Sequence, residues 1–506
     1  MRRGAVITAL IGVLAAAQAP AQADTLREAL LAAYENNPTL EGARAQQRAV
    51  DENVPIARAD GLPTVNANGT ATEFIEQSST SFFTPDRAVN AGLDLSVPIY
   101  SGGAVKNAVR AAEQRVEAGR ADLRATESAL FSQVVAAYMD VIRAEALVGL
   151  NANQVEVLRI NLEATQDRFE IGDLTRTDIA QSQSRLALAE SDLRSAQSNL
   201  IGARETYVQL VGEAPDDLQP PPPLPGLPAS PDMAVDVALE ENPDLIAARD
   251  RADAAGFDID VAGAGRLPRV SVFTGYDYQN FLGSVPDGLL DPDDPNSPLI
   301  ASPQTSNAAQ VGVQVSIPIF QGGRPAALER QAQARASQAL EQVIAAERDV
   351  IAQVRASFAS YRASLAIIES SQVAVEAAEL GLEGVRAENS IGNRTILDVL
   401  NAEQELLTAR VQLVTARRNA YVAGFTLLAA MGKAEARDLG LTDEGVLYDP
   451  VVNYDRVRNN IWDWSRDPDP VTQSTRTVDI PAATADVDDP DTIDSIDPDT
   501  DLRRGD

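Results

Sequence analysis

Val97-Pro98-Ile99-Tyr100-Ser101-Gly102-Gly103 opens onto a long stretch without proline, and Ile317-Pro318-Ile319-Phe320-Gln321-Gly322-Gly323 repeats the pattern. Farther along, Ile171-Gly172-Asp173-Leu174-Thr175-Arg176-Thr177-Asp178 returns as Ile391-Gly392-Asn393-Arg394-Thr395-Ile396-Leu397-Asp398. One offset of 220 residues relates both pairs, from Ser101 to Gln321 and from Gly172 to Gly392. Upstream, Tyr34-Glu35-Asn36-Asn37-Pro38-Thr39-Leu40 returns as Leu239-Glu240-Glu241-Asn242-Pro243-Asp244-Leu245, and Gly61-Leu62-Pro63 as Arg266-Leu267-Pro268. Each copy runs short helix, helix, strand, strand, very long helix, helix. Two copies of one unit predict a pseudo-symmetric object, and such objects tend to enclose an axis.

The strands announce themselves by alternation. Val65, Ala67, Gly69 and Ala71 interleave with Asn66, Asn68, Thr70 and Thr72, and Leu93, Leu95, Val97 and Ile99 follow the same rule. In the second copy Val270 and Val272, then Val311, Val313, Val315 and Ile317, do likewise. Period two with one apolar and one polar face is the pattern of a membrane barrel strand. The helices show heptads instead. From Gly103 to Glu170 there is no proline, and Val109, Val116, Leu123 and Leu130, then Val134, Val141, Val148, Val155, Leu162 and Phe169, form a seam that shifts register once. Ile179, Leu186, Leu193, Leu200 and Tyr207 make the return seam; Val354, Tyr361, Ile368, Val375 and Leu382, then Leu400, Leu407, Val414, Tyr421 and Leu428, repeat both. A second short helix is expected from about Thr39 to Ala59, stopping before Pro63. At ~1.5 Å per residue the long helices reach roughly 100 Å.

These signals divide the chain. Residues 1–23 read as a secretory signal, with Arg2 and Arg3, an apolar run and Ala21-Gln22-Ala23. The first repeat covers 24–219, with strands about 63–99 and a helical hairpin about 103–212. A proline-rich linker, 220–231, leads to a second repeat over 232–440, with strands about 268–319 and a hairpin about 323–431. The extension 441–506 ends in a tail rich in Asp and Pro, expected to be disordered from about Asp467 because it has little apolar area to bury.

Composition narrows the chemistry. The chain has no cysteine and no histidine, which excludes disulfides, thiolate or imidazole metal sites and Ser-His-Asp or Cys-His catalysis. No phosphate-binding glycine loop is present, so no cofactor, metal site or enzymatic activity is expected. A net charge of −32 argues against nucleic acid. Asp291, Asp293 and Asp294 faintly suggest a calcium loop, but the glycine and distal glutamate of an EF-hand are missing, and a flexible loop fits better.

Only four convincing strands are present, and a barrel in lipid cannot leave an edge open. Closure needs about eight strands or more, so the chain must oligomerise. The alternative is a non-channel coiled-coil scaffold or adhesin of the cell envelope, which has no need of strands between its helices.

The twofold repeat, the Asn-Pro elements, the Leu-Pro and Pro-x-x-Gly-Gly junctions and the Gly-x-x-Thr-x-x-Asp tips together resemble the TolC family of outer-membrane export ducts, over about residues 24–448. The resemblance implies a homotrimer in the outer membrane: a twelve-stranded β-barrel continuous with a twelve-helix α-barrel crossing the periplasm. It implies an exit duct of a tripartite efflux pump or type I secretion system, docked through a periplasmic adaptor (membrane fusion) protein on an inner-membrane RND or ABC transporter. Matched to the family's pattern, Asp398 falls on an aperture ring at the periplasmic tip, and Asn401 takes the place of a frequent second aspartate. Asp178 and Arg394 fall on latch positions, and Asn389 stands where the family often has a tyrosine latch. Gly172, Thr175, Gly392 and Thr395 would form the adaptor-docking surface. Asp178 and Asp398 also suit plain helix-terminal chemistry, since a carboxylate in a first turn favours the helix dipole.

Overall fold

A computed structural model of the chain describes residues 25–76, 85–285, 303–441 and 447–486. The signal segment, the loop with Asp291, Asp293 and Asp294, and the tail beyond 486 lie outside the described residues.

The first repeat begins with α1 (Leu26–Asn36), α2 (Pro38–Asp51) and α3 (Asn53–Ala59). One helix was expected over the span of α2 and α3. Pro55 has no N–H to give, so the helix breaks at Glu52 and restarts. Strands β1 (Thr64–Glu73) and β2 (Arg87–Tyr100) follow, then α4 (Ala104–Glu170) and α5 (Arg176–Val211). The second repeat supplies α6 (Pro231–Glu241), α7 (Pro243–Gly263), β3 (Arg269–Asn280), β4 (Thr305–Ser316), α8 (Arg324–Ser390) and α9 (Ile396–Ala430). Helices α4 and α8 have 67 residues each. A last short helix, α10 (Pro450–Val457), lies outside both repeats.

The four strands form one antiparallel sheet in the order β1-β2-β3-β4, so β1 and β4 are its edges. The register sorts the two faces. Val65 lies opposite Leu95, Leu95 opposite Thr274, and Thr274 opposite Val311. That face carries Val65, Ala67, Val89, Leu93, Leu95, Val97, Val270, Val272, Val311, Val313 and Val315, and the other carries Asn66, Asn68, Asp94, Ser96, Asp277, Gln310 and Gln314. On the polar face the carboxylates sit opposite glycines, Asp94 against Gly275 and Asp277 against Gly92. Strand passes to helix through glycine pairs that are left-handed: Gly102 and Gly103 at φ 67° and 85°, Gly322 and Gly323 at 60° and 82°. No residue with a side chain adopts that conformation cheaply.

The main core lies midway along α4, where Phe131, Val134, Tyr138 and Val141 meet Leu30 and Tyr34 of α1, Leu200 and Tyr207 of α5, and Phe425 and Leu428 of α9. The repeated Asn-Pro elements now have a mechanical meaning. Asn37 caps α2 by accepting from Thr39 N–H, and its Nδ2 donates to Leu210 O, 2.9 Å away, in the last turn of α5. Asn242 caps α7 by accepting from Asp244 and Leu245, and its Nδ2 donates to Ala430 O, also 2.9 Å, in the last turn of α9. Each asparagine thus bolts one hairpin to the helical collar beneath the sheet, and proline at the next position costs nothing because a first-turn N–H has no helical partner.

The C-terminal segment departs from expectation. Disorder was predicted from about Asp467, yet residues 467–486 form part of a strap tied down by polar contacts. Asp467 pairs with Arg456 (2.7 Å), Glu205 accepts from Ala483 N–H (2.9 Å), and Arg204 donates to Thr484 O (2.7 Å). These contacts use the backbone of the strap more than its side chains, so low apolar content does not prevent docking.

Candidate functional site: the hairpin tips

At the far end of each hairpin the chain reverses in five residues. After α4, Gly172 (φ 84°) donates to Phe169 O and Asp173 N–H reaches back to Arg168 O, both at 2.9 Å. After α8, Gly392 (φ 80°) donates to Asn389 O at 3.0 Å and Asn393 N–H to Glu388 O at 2.9 Å. Both are Schellman closures, in which a left-handed glycine lets the orphan carbonyls of the last turn be satisfied.

The next helix starts identically in both copies. Thr175 Oγ1 accepts from Asp178 N–H, while Asp178 Oδ2 accepts from Thr175 N–H (2.8 Å) and Oγ1–H (2.7 Å). Thr395 and Asp398 repeat this capping box at 3.0 and 2.7 Å. The hydrogen bonds from Thr175 hold the Asp178 carboxyl below the usual range, and those from Thr395 do the same for Asp398. A carboxylate with a lowered folded pKa stabilises its cap above the unfolded value of ~3.9 and loses that contribution as pH falls through the folded one. Both tips therefore stay capped through the neutral range and fray in acid.

Each tip carries one ion pair, with the charges reversed between copies. Arg168 pairs with Asp173 at 2.7 Å in the first, and Arg394 with Glu388 at 2.7 Å in the second. Asn389 Nδ2 donates to Arg394 O, 2.8 Å away, and so braces the second turn. Within the protomer, then, Asp178 hydrogen-bonds to Thr175 of its own hairpin, while Asn389 and Arg394 meet each other across the second turn.

Two other polar contacts cross between the hairpins just above the tips. Arg185 of α5 donates to Asn401 Oδ1 of α9 at 2.9 Å. Glu403, only 3% exposed, accepts across the hairpins from Asn161 of α4 and, within its own hairpin, from Arg386 of α8, both at 3.0 Å. Arg185, Asn161 and Glu403 escaped the sequence reading. The available signal was slight: Glu403 stands one turn from Leu400 and one from Leu407, a carboxylate flanked by seam residues. Among the described residues no helix is long and apolar enough to cross a membrane, and no cluster of acidic side chains is placed to hold a metal.

Comparison with known proteins agrees with this architecture. The sequence profile described as "Outer membrane efflux protein" matches residues 29–213 and 234–433, the two repeats. The outer membrane efflux protein BepC of Brucella suis is 31% identical over 460 residues, covering 91% of this chain and 96% of its own. The outer membrane protein TolC of Vibrio cholerae is 28% identical over 438 residues, covering 86% and 95%. Among solved structures, the outer membrane protein VceC of Vibrio cholerae superposes with a TM-score of 0.68 at 24% identity, over 80% of this chain and 96% of that one. The chain belongs to the outer membrane efflux protein family, and its fold is that of a TolC-like outer-membrane channel.

Proposed function

We propose that three copies of this chain close a twelve-stranded barrel in the outer membrane and act as the passive exit duct of a tripartite efflux pump or type I secretion system, with no catalytic step of their own. The observation that carries this reading is the sheet: one face apolar, one polar, and two open edges. Lipid tolerates no unpaired strand edge, so β4 must meet β1 of a neighbouring copy. Helix α8 supports the same reading, because Leu340, Ile367, Val373 and Leu380 lie exposed along it and a neighbouring hairpin would cover them.

The internal repeat implies a register for the missing seam. Within the chain Val97 lies opposite Val272. The offset of 220 maps Val97 onto Ile317, and the offset of 205 between Pro63 and Pro268 maps Val272 onto Ala67. Ile317 should therefore lie opposite Ala67 of the next copy. Because the chain has no cysteine, Ile317→Cys combined with Ala67→Cys is a clean probe. A short bifunctional thiol reagent is expected to yield covalent ladders ending at three chains. Products confined to single chains, or ladders ending at two, would refute the closure.

At the tips, Asp398 is assigned to the aperture and the Arg185–Asn401 contact to the restraint between hairpins. Positions 398 and 401 share one helix face, so three copies would gather three carboxylates about the axis, which favours cations. Gly172, Thr175, Gly392 and Thr395 would present the turn surface to a periplasmic adaptor, itself docked on an inner-membrane transporter. In bilayer recordings Asp398→Ala is expected to weaken block by multivalent cations and reduce cation preference. Asp94 and Asp277 on the polar face of the sheet should keep part of that preference. Asp178→Ala removes the equivalent cap from the first hairpin and should raise conductance by loosening the closed tip. Unchanged block, selectivity and conductance in both variants would reduce the two carboxylates to helix caps.

A further inference from the structure

The strap that follows the second repeat climbs toward the sheet and then returns. Three sets of contacts trace the climb. Tyr448 N–H donates to Tyr34 Oη (2.9 Å), Asn453 Nδ2 to Asp51 (2.7 Å), and Arg58 to both Arg458 O and Asn459 Oδ1 (2.6 Å each). The partners 34, 51 and 58 advance along α1, α2 and α3 toward the start of β1 at Thr64. Helix α4 gives the same order from the other side. Glu127 accepts from Ala436 N–H and Arg120 lies over the Tyr454 ring, and falling numbers on α4 lead up to Ala104 beside the sheet. Descent begins with Asp467 on Arg456 and continues past Gly212, which meets Thr475, to Arg204 and Glu205 with Thr484 and Ala483. The apex of the strap is therefore Asn459–Arg466.

That apex reads Asn459-Asn460-Ile461-Trp462-Asp463-Trp464-Ser465-Arg466, and it holds both tryptophans of the chain. It is a built turn: Asn460 Oδ1 accepts from Trp462 N–H at 3.1 Å and Trp462 O from Ser465 N–H at 3.0 Å. Yet Ile461, Trp462 and Trp464 are 72%, 70% and 84% exposed. A protein gains nothing by holding two indoles in water, and an indole is at its best where an apolar ring meets a wet N–H. The flanking charges are already neutralised, Arg458 by Asp455 and Arg456 by Asp467. From Arg58 to Thr64 there are six residues of chain, so Arg58, whose guanidinium the start of the apex meets, sits within about 20 Å of the foot of the sheet.

We propose that the Ile461–Trp464 apex seats in the phospholipid headgroup layer on the inner side of the membrane, as an aromatic anchor outside the barrel. It rests on the exit-duct reading, which puts the strands in the bilayer. The interface is where tryptophan concentrates in membrane proteins. Here the indoles come not from the strands but from a C-terminal strap that grips the helical collar. The anchor would fix the height of the collar against the bilayer.

Both tryptophans lie in the apex, so emission excited selectively from tryptophan in the full-length protein reports on it alone. The protein is reconstituted in phosphatidylcholine vesicles with or without bromine on the upper acyl chain, and Trp462→Phe and Trp464→Phe assign the signal. The expected result is a blue-shifted emission that loses most of its intensity in brominated vesicles and resists aqueous iodide. Emission indifferent to bromine but quenched by iodide would place the apex in water and overturn the proposal. Shielding from both quenchers would place it against a neighbouring copy, which overturns it equally. Protease resistance of the strands in the same vesicles is scored separately. Strands that are digested would refute the membrane reading, and the anchor with it; protected strands with unquenched tryptophan refute the anchor alone.

Discussion

Arginine in place of Val311 is expected to abolish stable insertion, whereas arginine in place of the adjacent Gln310 should leave it intact. The two positions differ by one residue and by one face. Val311, 80% exposed in the protomer, sits mid-strand on the apolar side beside Thr274 and Leu95. Gln310 lies opposite Gly275 on the side with Asp94 and Asp277. A guanidinium facing lipid at the midplane of a barrel costs about 2–4 kcal/mol. That is roughly thirtyfold to several hundredfold in the insertion equilibrium per copy, and every copy in the ring bears it. On the polar face the same group meets water and carboxylates. The measurement is the fraction of each variant that resists alkaline extraction from membranes. Equal extraction of both would mean that the faces have been assigned the wrong way or that the sheet does not meet lipid.

The second large effect concerns Gly432, where α9 ends. Its φ of 74° is left-handed, and a Cβ there would collide with the carbonyl oxygen of Glu241 and come within 2.7 Å of its carbonyl carbon. Those atoms are backbone, held by the Asn242 bolt immediately beyond, and cannot swing aside. Gly392 has a similar φ of 80° but nothing within 4 Å of its missing Cβ. Gly392→Ala should cost only the backbone term, about 1–2 kcal/mol. Gly432→Ala bears that term plus about 1–3 kcal/mol of overpacking. The contrast isolates the collision, because the dihedral penalty is shared. It is read as the difference in denaturation midpoint of the detergent-solubilised protein. A Gly432→Ala protein as stable as Gly392→Ala would show that the collar can yield around Glu241.

Periodicity made much of this molecule legible before any coordinates. Val116, Val134, Val141, Val354 and Leu400 are buried where the heptads place them, and the alternating strands pair in one sheet with the apolar residues on one side. What escaped lacks a period. The strap has no repeating apolar pattern because it docks through isolated side chains such as Asn453 and Tyr454 and through its own backbone, and such contacts leave no rhythm in sequence. Pro55 was readable as a helix break. At the tips, the threonine–aspartate boxes were visible as spacing, but Arg185 was one arginine among many, and its meeting with Asn401 spans 216 residues. Glu403 was hidden differently: a buried charge beside an apolar seam makes sense only once Asn161 and Arg386 are seen to converge on it.

The asparagine bolts also make each hairpin a lever. Asn242 grips the last turn of α9, and the 35 residues from there to the tip give an arm of about 50 Å. A tilt of about six degrees at the grip sweeps the tip through about 5 Å, the pitch of one helical turn. The turn at Gly392 and the cap at Thr395 tie the tip together, so a tilt at the grip would carry it as a block. A few degrees of angular play at the collar would be magnified into a displacement wider than a water molecule at the far end.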